Sequence, residues 1–444
     1  MQNSTKRASK LKLSLFLNLS LKVLNIAISL LLVPVLLTSL GKEKYGIWVT
    51  VFTFIGWLNI FDLGLGEGLK LKLTAAFSLK KIKKINKLIT STYLFIIFIT
   101  SILLFLFTII NFFVDWSELL GVNNYANEIN TSIYILVVTV LLIFIVKLIG
   151  TIYSSLQLPF VENIIKTSGQ SVFLICLLIL NLSNFKLNLI WVTVFSLLPT
   201  LLIYVGFNII FFRFKAPFLA PKYKYISKIT LKEVIRPGFS FFIIQLGCIV
   251  LYSTDNVIIL KLFSATEVTY YSIYYKYYSF PFMFFSLFIA SHWNAFIDAL
   301  AKKDFLWIKN KIQLFKKLLL LLLIAYIFMF LSEEKLLLFW VGKDNIFLDS
   351  SLSLHMIVYF LISSITTIYI YVVNAYGKLY IQLISYIVIT LINIPVSIIL
   401  AKFFNFGPSG VILASSICLL ILLILIPIQY KKIMNQKIYG IWNK

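Results

Sequence analysis

The sequence predicts an all-α polytopic membrane protein, with about twelve transmembrane helices in two six-helix bundles around a central cavity. Three observations predict it. Hydrophobic residues make up 61% of the 444 positions and charged residues 13%, with a mean hydropathy of +0.98, more apolar surface than a water-soluble domain can bury. The apolar residues fall into about twelve runs, most of them near the roughly 20 residues that cross a hydrocarbon core of about 30 Å. The 40 basic residues, against 16 acidic ones and a net charge of +24, collect in alternate segments between those runs, as the positive-inside rule requires.

The runs cover 13–37, 45–68, 88–113, 130–155, 167–182 and 189–212, then 237–263, 268–291, 318–331, 352–375, 379–401 and 410–428. The first is too long for the apolar region of a signal peptide, contains Asn18, Lys22 and Asn25, and lacks a small-residue cleavage site, so it reads as a span. With the amino terminus inside, about three quarters of the 40 basic residues become cytoplasmic and most acids face outward. Both termini are then cytoplasmic and the expected home is a bacterial inner membrane. Sorting by membrane side accounts for the net charge, and no basic stripe interleaved with aromatics argues for nucleic acid.

The basic segment 213–236 separates an amino-terminal bundle, 1–212, from a carboxy-terminal bundle, 237–428, and a tail, 429–444. The halves echo each other. LGKEKYGIWV opens the second run, which ends at the lysine-rich stretch from Lys70 to Lys87; SATEVTYYSIYYK opens the eighth, followed by the stretch from Lys302 to Lys317. Within the first stretch, Leu79, Ile82, Ile85 and Ile89 keep helical spacing among lysines, which suits either a helix lying along the headgroups or a solvated connection.

Polar side chains inside the runs are the candidate site, because an ion there costs several kcal/mol, about 2.5 to 3.5 on insertion scales. Asn18, Lys22, Asn25 and Ser29 share one face of the first span, and Gln245, Cys248, Tyr252 and Asp255 share one face of the seventh. Lys147 lies within the fourth span, Asp62 in the second, Glu67 near its end, and Lys276 in the eighth. Such faces suit a polar cavity, and they equally suit hydrogen bonding within a dry bundle. Depth counted from the turn between spans seven and eight places Asp255 near Lys276, as an ion pair or as a proton or sodium site; Asp62 could partner Lys22 or Lys147. Around Lys276, TYYSIYYKYY holds six tyrosines, either an interfacial belt or a sugar-contacting platform to which Tyr271 and Tyr274 would belong.

Other chemistries find little support. There is no glycine-rich phosphate loop, and His292 and His355 have no carboxylate at ligand spacing, so no cofactor beyond a coupling proton or sodium is expected. The segments assigned outside are short for a membrane glycosyltransferase or glycan polymerase. The chain reads as a transporter and not an enzyme.

LGKEKYGIWVTVFTFIGWLNIFDLGLGEGL resembles the second-span signature of the Wzx-type polysaccharide repeat-unit flippases, of the multidrug/oligosaccharidyl-lipid/polysaccharide exporter superfamily. STDNVIILKLFSATEVTYYSIYYK, HWNAFIDALAKKDFLWIKNKI, VVNAYGKLYIQ and GPSGVILASS are similar to its later segments. His292-Trp293-Asn294 departs from the family pattern, where a proline near the tryptophan is common. The resemblance implies alternating access between two bundles and a polyprenyl-diphosphate-linked oligosaccharide of O-antigen or capsule synthesis as cargo. The diphosphate would meet Lys22, Lys147 and Lys276, and the sugars would meet amides, hydroxyls and tyrosines. Asp62, Asp255 and Glu67 would serve coupling or gating, with polysaccharide polymerase machinery as a downstream partner. A drug exporter of the same superfamily, or a glycan-building membrane enzyme, are the competing classes.

Overall fold

The computed structural model describes residues 2–58, 65–156, 158–183, 185–235 and 254–443. These residues are almost entirely helical and contain no strand. Backbone polar groups in a bilayer must pair within their own segment, and helices do so. Among the described residues, nine helical stretches are long and apolar enough to cross a membrane. The helix Ala265–Ser291 matches them in length but is too rich in tyrosine to count with them.

The first half runs α1 (Gln2–Leu58, two helices joined at Gly41 with φ 75°), α2 (Leu65–Ser78), α3 (Ile82–Phe113), α4 (Trp116–Leu120), α5 (Ala126–Val146), α6 (Leu148–Ser155), α7 (Phe160–Leu182) and α8 (Leu189–Ile209). A π-helical turn, Ile210–Lys215, leads into a short helix, α9, at 228–235. The second half runs α10 (Asp255–Leu262), α11 (Ala265–Ser291), α12 (Trp293–Ala301), α13 (Phe305–Leu331), α14 (Glu333–Val341), α15 (Ser350–Tyr376), α16 (Tyr380–Ile398) and α17 (Pro408–Met434).

The chain divides into two compact units. One holds Met1–Lys44 and Val51–Gln245; the other holds Tyr45–Thr50 and Leu246–Lys444. The short piece of α1 joins the second unit because Gly46 passes so close to α11 that a Cβ there would overlap the Ala265 carbonyl oxygen. In the first unit, Gly68 meets the Val234 carbonyl and Gly169 meets Thr200 in the same way. Small residues at helix crossings let backbones approach where lipid supplies no hydrophobic drive between helices.

The lysine-rich stretches are not loops. α2 continues to Ser78 and α3 begins at Ile82, with Ile85 and Ile89 at 3% and 0% exposure. The stretch around Leu79 to Ile89 is therefore the start of a long span and not a separate helix lying on the headgroups. At 32 residues, α3 is about 48 Å long and overshoots the hydrocarbon core, its lysines reaching into the polar region. The α2–α3 and α12–α13 turns are alike. Lys80 (φ 54°) and Lys303 (φ 58°) are left-handed. Lys80 N–H donates to Phe77 and Lys81 N–H to Ala76, as Lys303 N–H donates to Leu300 and Asp304 N–H to Ala299. Each is a Schellman termination.

Candidate functional site

In the first unit, Lys22 and Asn25 are half-buried on α1, which α7 approaches where the Thr167 hydroxyl reaches the Leu21 carbonyl at 3.5 Å. The backbone positions of Asn18 and Glu67 are described but not their side chains, and Asp62, Gln245 and Tyr252 lie outside the described residues.

Lys147 sits where the fourth span breaks. It separates α5 from α6 with φ −66° and ψ −17°, and its Nζ lies 4.3 Å from the centre of the Phe144 ring, a cation–π contact. Gly150 N–H turns to the Lys147 carbonyl at 2.9 Å, a tighter bond than the helical one, which takes the usual donor from the Val146 carbonyl. Asn208 of α8 supplies the replacement. Its Nδ2 donates to Val146 O and Tyr204 O, both at 2.8 Å, and its Oδ1 accepts from the Tyr93 hydroxyl at 2.8 Å. Broken helices persist in a bilayer only where a neighbour satisfies the released backbone group, and Asn208 does this beside an in-span lysine. Neither Tyr93 nor Asn208 was among the sequence candidates. Their signal was an Asn near the end of an otherwise apolar run.

The second unit adds buried carboxylates. Asp255 opens α10 and is 7% exposed. Its Oδ2 accepts from the Tyr271 hydroxyl at 2.5 Å, while Oδ1 has no partner among the described residues. The Ser415 hydroxyl of α17 lies against it and in turn accepts from Asn393 Nδ2 of α16 at 3.0 Å. Asn393 Oδ1 is also buried without a partner among the described residues. Two acceptor oxygens without a partner among the described residues, one from a carboxylate, thus sit in one buried polar cluster.

The ion pair anticipated between Asp255 and Lys276 is not formed. Lys276 Nζ instead lies 3.5 Å from the Tyr45 hydroxyl. The reason is rotational: Lys276 follows Tyr271 by five residues, about 140° around the helix, so only one of them can face Asp255.

The tyrosines form neither an interfacial belt nor an open platform. Tyr271, Tyr274 and Tyr278 are 2%, 1% and 0% exposed. Tyr274 donates to the Phe347 carbonyl at 3.0 Å, Tyr277 to Met329 at 2.9 Å and Tyr278 to Glu333 Oε2 at 2.7 Å. In this conformation Tyr271 and Tyr274 therefore tie α11 to its neighbours. Glu333, which the sequence placed in an outer loop, is buried and also accepts from Ser353 at 2.7 Å. Its removal from water is offset by these two hydroxyl donors and the amino end of α14. His292 packs at a tilt on Phe288 and edge-on to Phe315, and His355 packs edge-on to Phe406. No group of His, Cys, Asp or Glu among the described residues is arranged to hold a metal.

The sequence matches no protein-family model and no curated protein sequence. Its fold does match solved structures. An inward-facing multidrug resistance MATE family transporter of the MOP superfamily superimposes with a TM-score of 0.76 at 12% identity, over 95% of this chain and 98% of that one. An outward-facing MATE structure gives 0.67 at 12% identity, covering 96% of each chain. The lipid II flippase MurJ, in an inward closed conformation, gives 0.67 at 15% identity over 96% of this chain and 90% of that one. The chain thus has the transporter fold, of about twelve helices, that these proteins share.

Proposed function

We propose that the chain is a flippase that carries polyprenyl-diphosphate-linked oligosaccharide repeat units across the bacterial cytoplasmic membrane for O-antigen or capsule synthesis. The observation that carries this reading is the pairing of a flippase-and-exporter fold with lysines inside the spans of the first unit. Lys147 stands at a helix break whose backbone is satisfied by Asn208. A lysine kept at a cost in a bilayer marks a polar path, and its charge favours an anionic headgroup over a cationic drug. The head group would cross between an amino-terminal bundle, 1–212, and a carboxy-terminal bundle, 237–428, while the lipid tail stays in the bilayer. Lys22, Asn18, Asn25, Lys147 and Lys276 would meet the cargo, and Gln245, Tyr252, Tyr271 and Tyr274 would join them once the second unit repacks.

The same reading assigns coupling to the second unit. Asp255, whose Oδ1 has no partner among the described residues, with Ser415 and Asn393 in the same cluster, suits a proton or sodium ion that binds one conformation better than the other, as coupling demands. Asp62 and Glu67 are the other candidates. Polysaccharide polymerase machinery would consume the product.

The test is a proteoliposome assay with a short polyprenyl-diphosphate oligosaccharide on one leaflet, its appearance on the other followed with and without a proton or sodium gradient. Protein-dependent transfer is expected; none, with folded protein and the organism's own glycan, would overturn the proposal. A second reading, drug export, is favoured by the MATE likeness; gradient-driven efflux of small cations without lipid transfer would establish it.

A further inference from the structure

The stretch from Arg213 to the end of α9 is held to the first unit by its backbone, yet it turns large apolar side chains outward. Ser227 N–H donates to Ser91 Oγ at 2.9 Å and Lys222 N–H to Thr90 Oγ1 at 3.3 Å. Ala216, Leu219, Thr230 and Val234 are buried, and the Val234 carbonyl sits against Gly68. The segment is thus a seated element of the unit. Against that fixed backbone, Phe214, Phe218, Tyr223, Ile226 and Ile229 are 71%, 57%, 82%, 52% and 78% exposed.

Cations stand next to three of these five side chains. Arg213 and Lys215 flank Phe214, Lys222 and Lys224 flank Tyr223, and Lys228 precedes Ile229. Arg213 and Lys224 lie 6.0 and 5.1 Å from the ring centres of Phe214 and Tyr225. The acid in the segment, Glu233, is taken by Lys84 at 2.9 Å. The outward charge is therefore positive.

We propose that this segment is a docking face for anionic phospholipid, inserting its aromatic and aliphatic side chains at the headgroup level while its lysines bind lipid phosphates. Position decides against a protein partner. The π-helical turn Ile210–Lys215 continues directly from α8, so Phe214 and Phe218 leave the membrane span with no spacer. Apolar side chains that emerge among lysines at the bilayer boundary meet the acyl–headgroup junction first, and each cation near an anionic surface adds attraction that falls off within a Debye length. The lysine distribution assigns this face to the cytoplasm, where anionic lipid is met. The consequence is that the backbone joining the two halves is fastened to the leaflet as well as to α2 and α3.

The test uses the full-length protein in detergent, offered equimolar phosphatidylglycerol and phosphatidylcholine, with retained lipid counted by native mass spectrometry. The wild type is expected to retain phosphatidylglycerol selectively. Replacing Lys222, Lys224, Lys228 and Lys232 together by glutamine is expected to lower its apparent affinity for phosphatidylglycerol at least about tenfold, as removal of several surface cations should. The paired change Tyr223→Ser and Ile229→Ser, at exposed positions that leave the fold intact, should weaken retention of both lipids severalfold. Undiminished selectivity in the glutamine variant would overturn the proposal. So would a soluble protein that competes for this face while lipid retention is unchanged between wild type and the serine variant.

Discussion

The two halves share a scaffold and differ in their chemistry. The turn from α2 to α3 and the turn from α12 to α13 end on a left-handed lysine with the same pair of backbone hydrogen bonds. The fourth span of the first half breaks at Lys147, whereas its counterpart α15 runs unbroken from Ser350 to Tyr376. Among the described residues the first unit holds Lys22 and Lys147 within its spans, while the second holds Lys276 and two buried carboxylates, Asp255 and Glu333, each bonded by a tyrosine hydroxyl. Geometry imposed by crossing a bilayer is kept in both halves, while side-chain charge has been free to separate. Under the proposed function, Lys147 in the first unit would handle the anion and Asp255 in the second would serve ion coupling.

The largest effects should come from erasing that separation. Lys147→Ala is expected to slow flipping about tenfold or more, the loss of one charge-assisted contact, with the gradient dependence kept. Asp255→Asn should remove the gradient dependence and leave passive transfer. Initial rates in proteoliposomes with and without a gradient separate the two. Identical phenotypes would break the division between the units.

Asn208→Leu should come next. It strips the donor from the Val146 carbonyl and the acceptor from the Tyr93 hydroxyl, and groups left unsatisfied cost about 1–3 kcal/mol each. Tyr93→Phe removes one bond without stranding a backbone group, for about 0.6 kcal/mol, the average seen for hydrogen bonds between membrane helices. Thermal unfolding in detergent should rank the two in that order. Equal losses would mean that the helix break does not depend on Asn208.

The order of the described spans was legible because hydropathy acts over about 20 residues at a time, but lengths were less so: the run 318–331 is the second half of the 27-residue α13, and most of the run 237–263 lies outside the described residues. The break at Lys147 was not, since no proline stands at it and Gly150 alone does not mark one; what permits it is an amide on α8, some sixty positions away in sequence. Asp255 was legible as a costly buried ion, but its partner was not. Depth along a helix can be counted, whereas the rotation that brings Tyr271 and turns Lys276 toward Tyr45 depends on packing. The tyrosine run misled for the same reason: composition matches an interface, and only the neighbours Glu333, Phe347 and Met329 reveal that the hydroxyls have internal acceptors.

The short helices α4 and α14 sharpen the contrast in a smaller way. α4 is capped by Asp115, an exposed carboxylate that the Ser117 hydroxyl and the Asn130 amide hold down at about 2. The corresponding α14 carries Glu333 buried, with Glu334 beside it exposed. A lowered folded-state value means that the capping contribution is complete above the ordinary carboxylate range and fades as pH falls toward about 2. Amide exchange of α4, corrected for its intrinsic pH dependence, should therefore quicken between pH 4 and pH 2 in the wild type and not in Asp115→Asn. A wild-type profile that follows the variant would show that the cap is unused.

The smallest effects test whether the repeated turns are equivalent. Lys80→Gly and Lys303→Gly each remove a side chain from a left-handed residue, which relieves about 1 kcal/mol of crowding but adds chain entropy to the unfolded state of about 0.5–1 kcal/mol. A gain of a few tenths at both positions is expected, and opposite signs would break the equivalence. The next residue distinguishes the turns. Asp304 caps α13 by accepting from Trp307 N–H at 3.0 Å, whereas Lys81, at the matching place before α3, makes no side-chain cap. Lys81→Asp should therefore stabilise the first turn by about 0.5–1 kcal/mol, and Asp304→Lys should cost the second a similar amount. If Lys81→Asp destabilises instead, the lysine at that turn is held for its charge, the role that its membrane side gives it, and the halves differ even where their backbones agree.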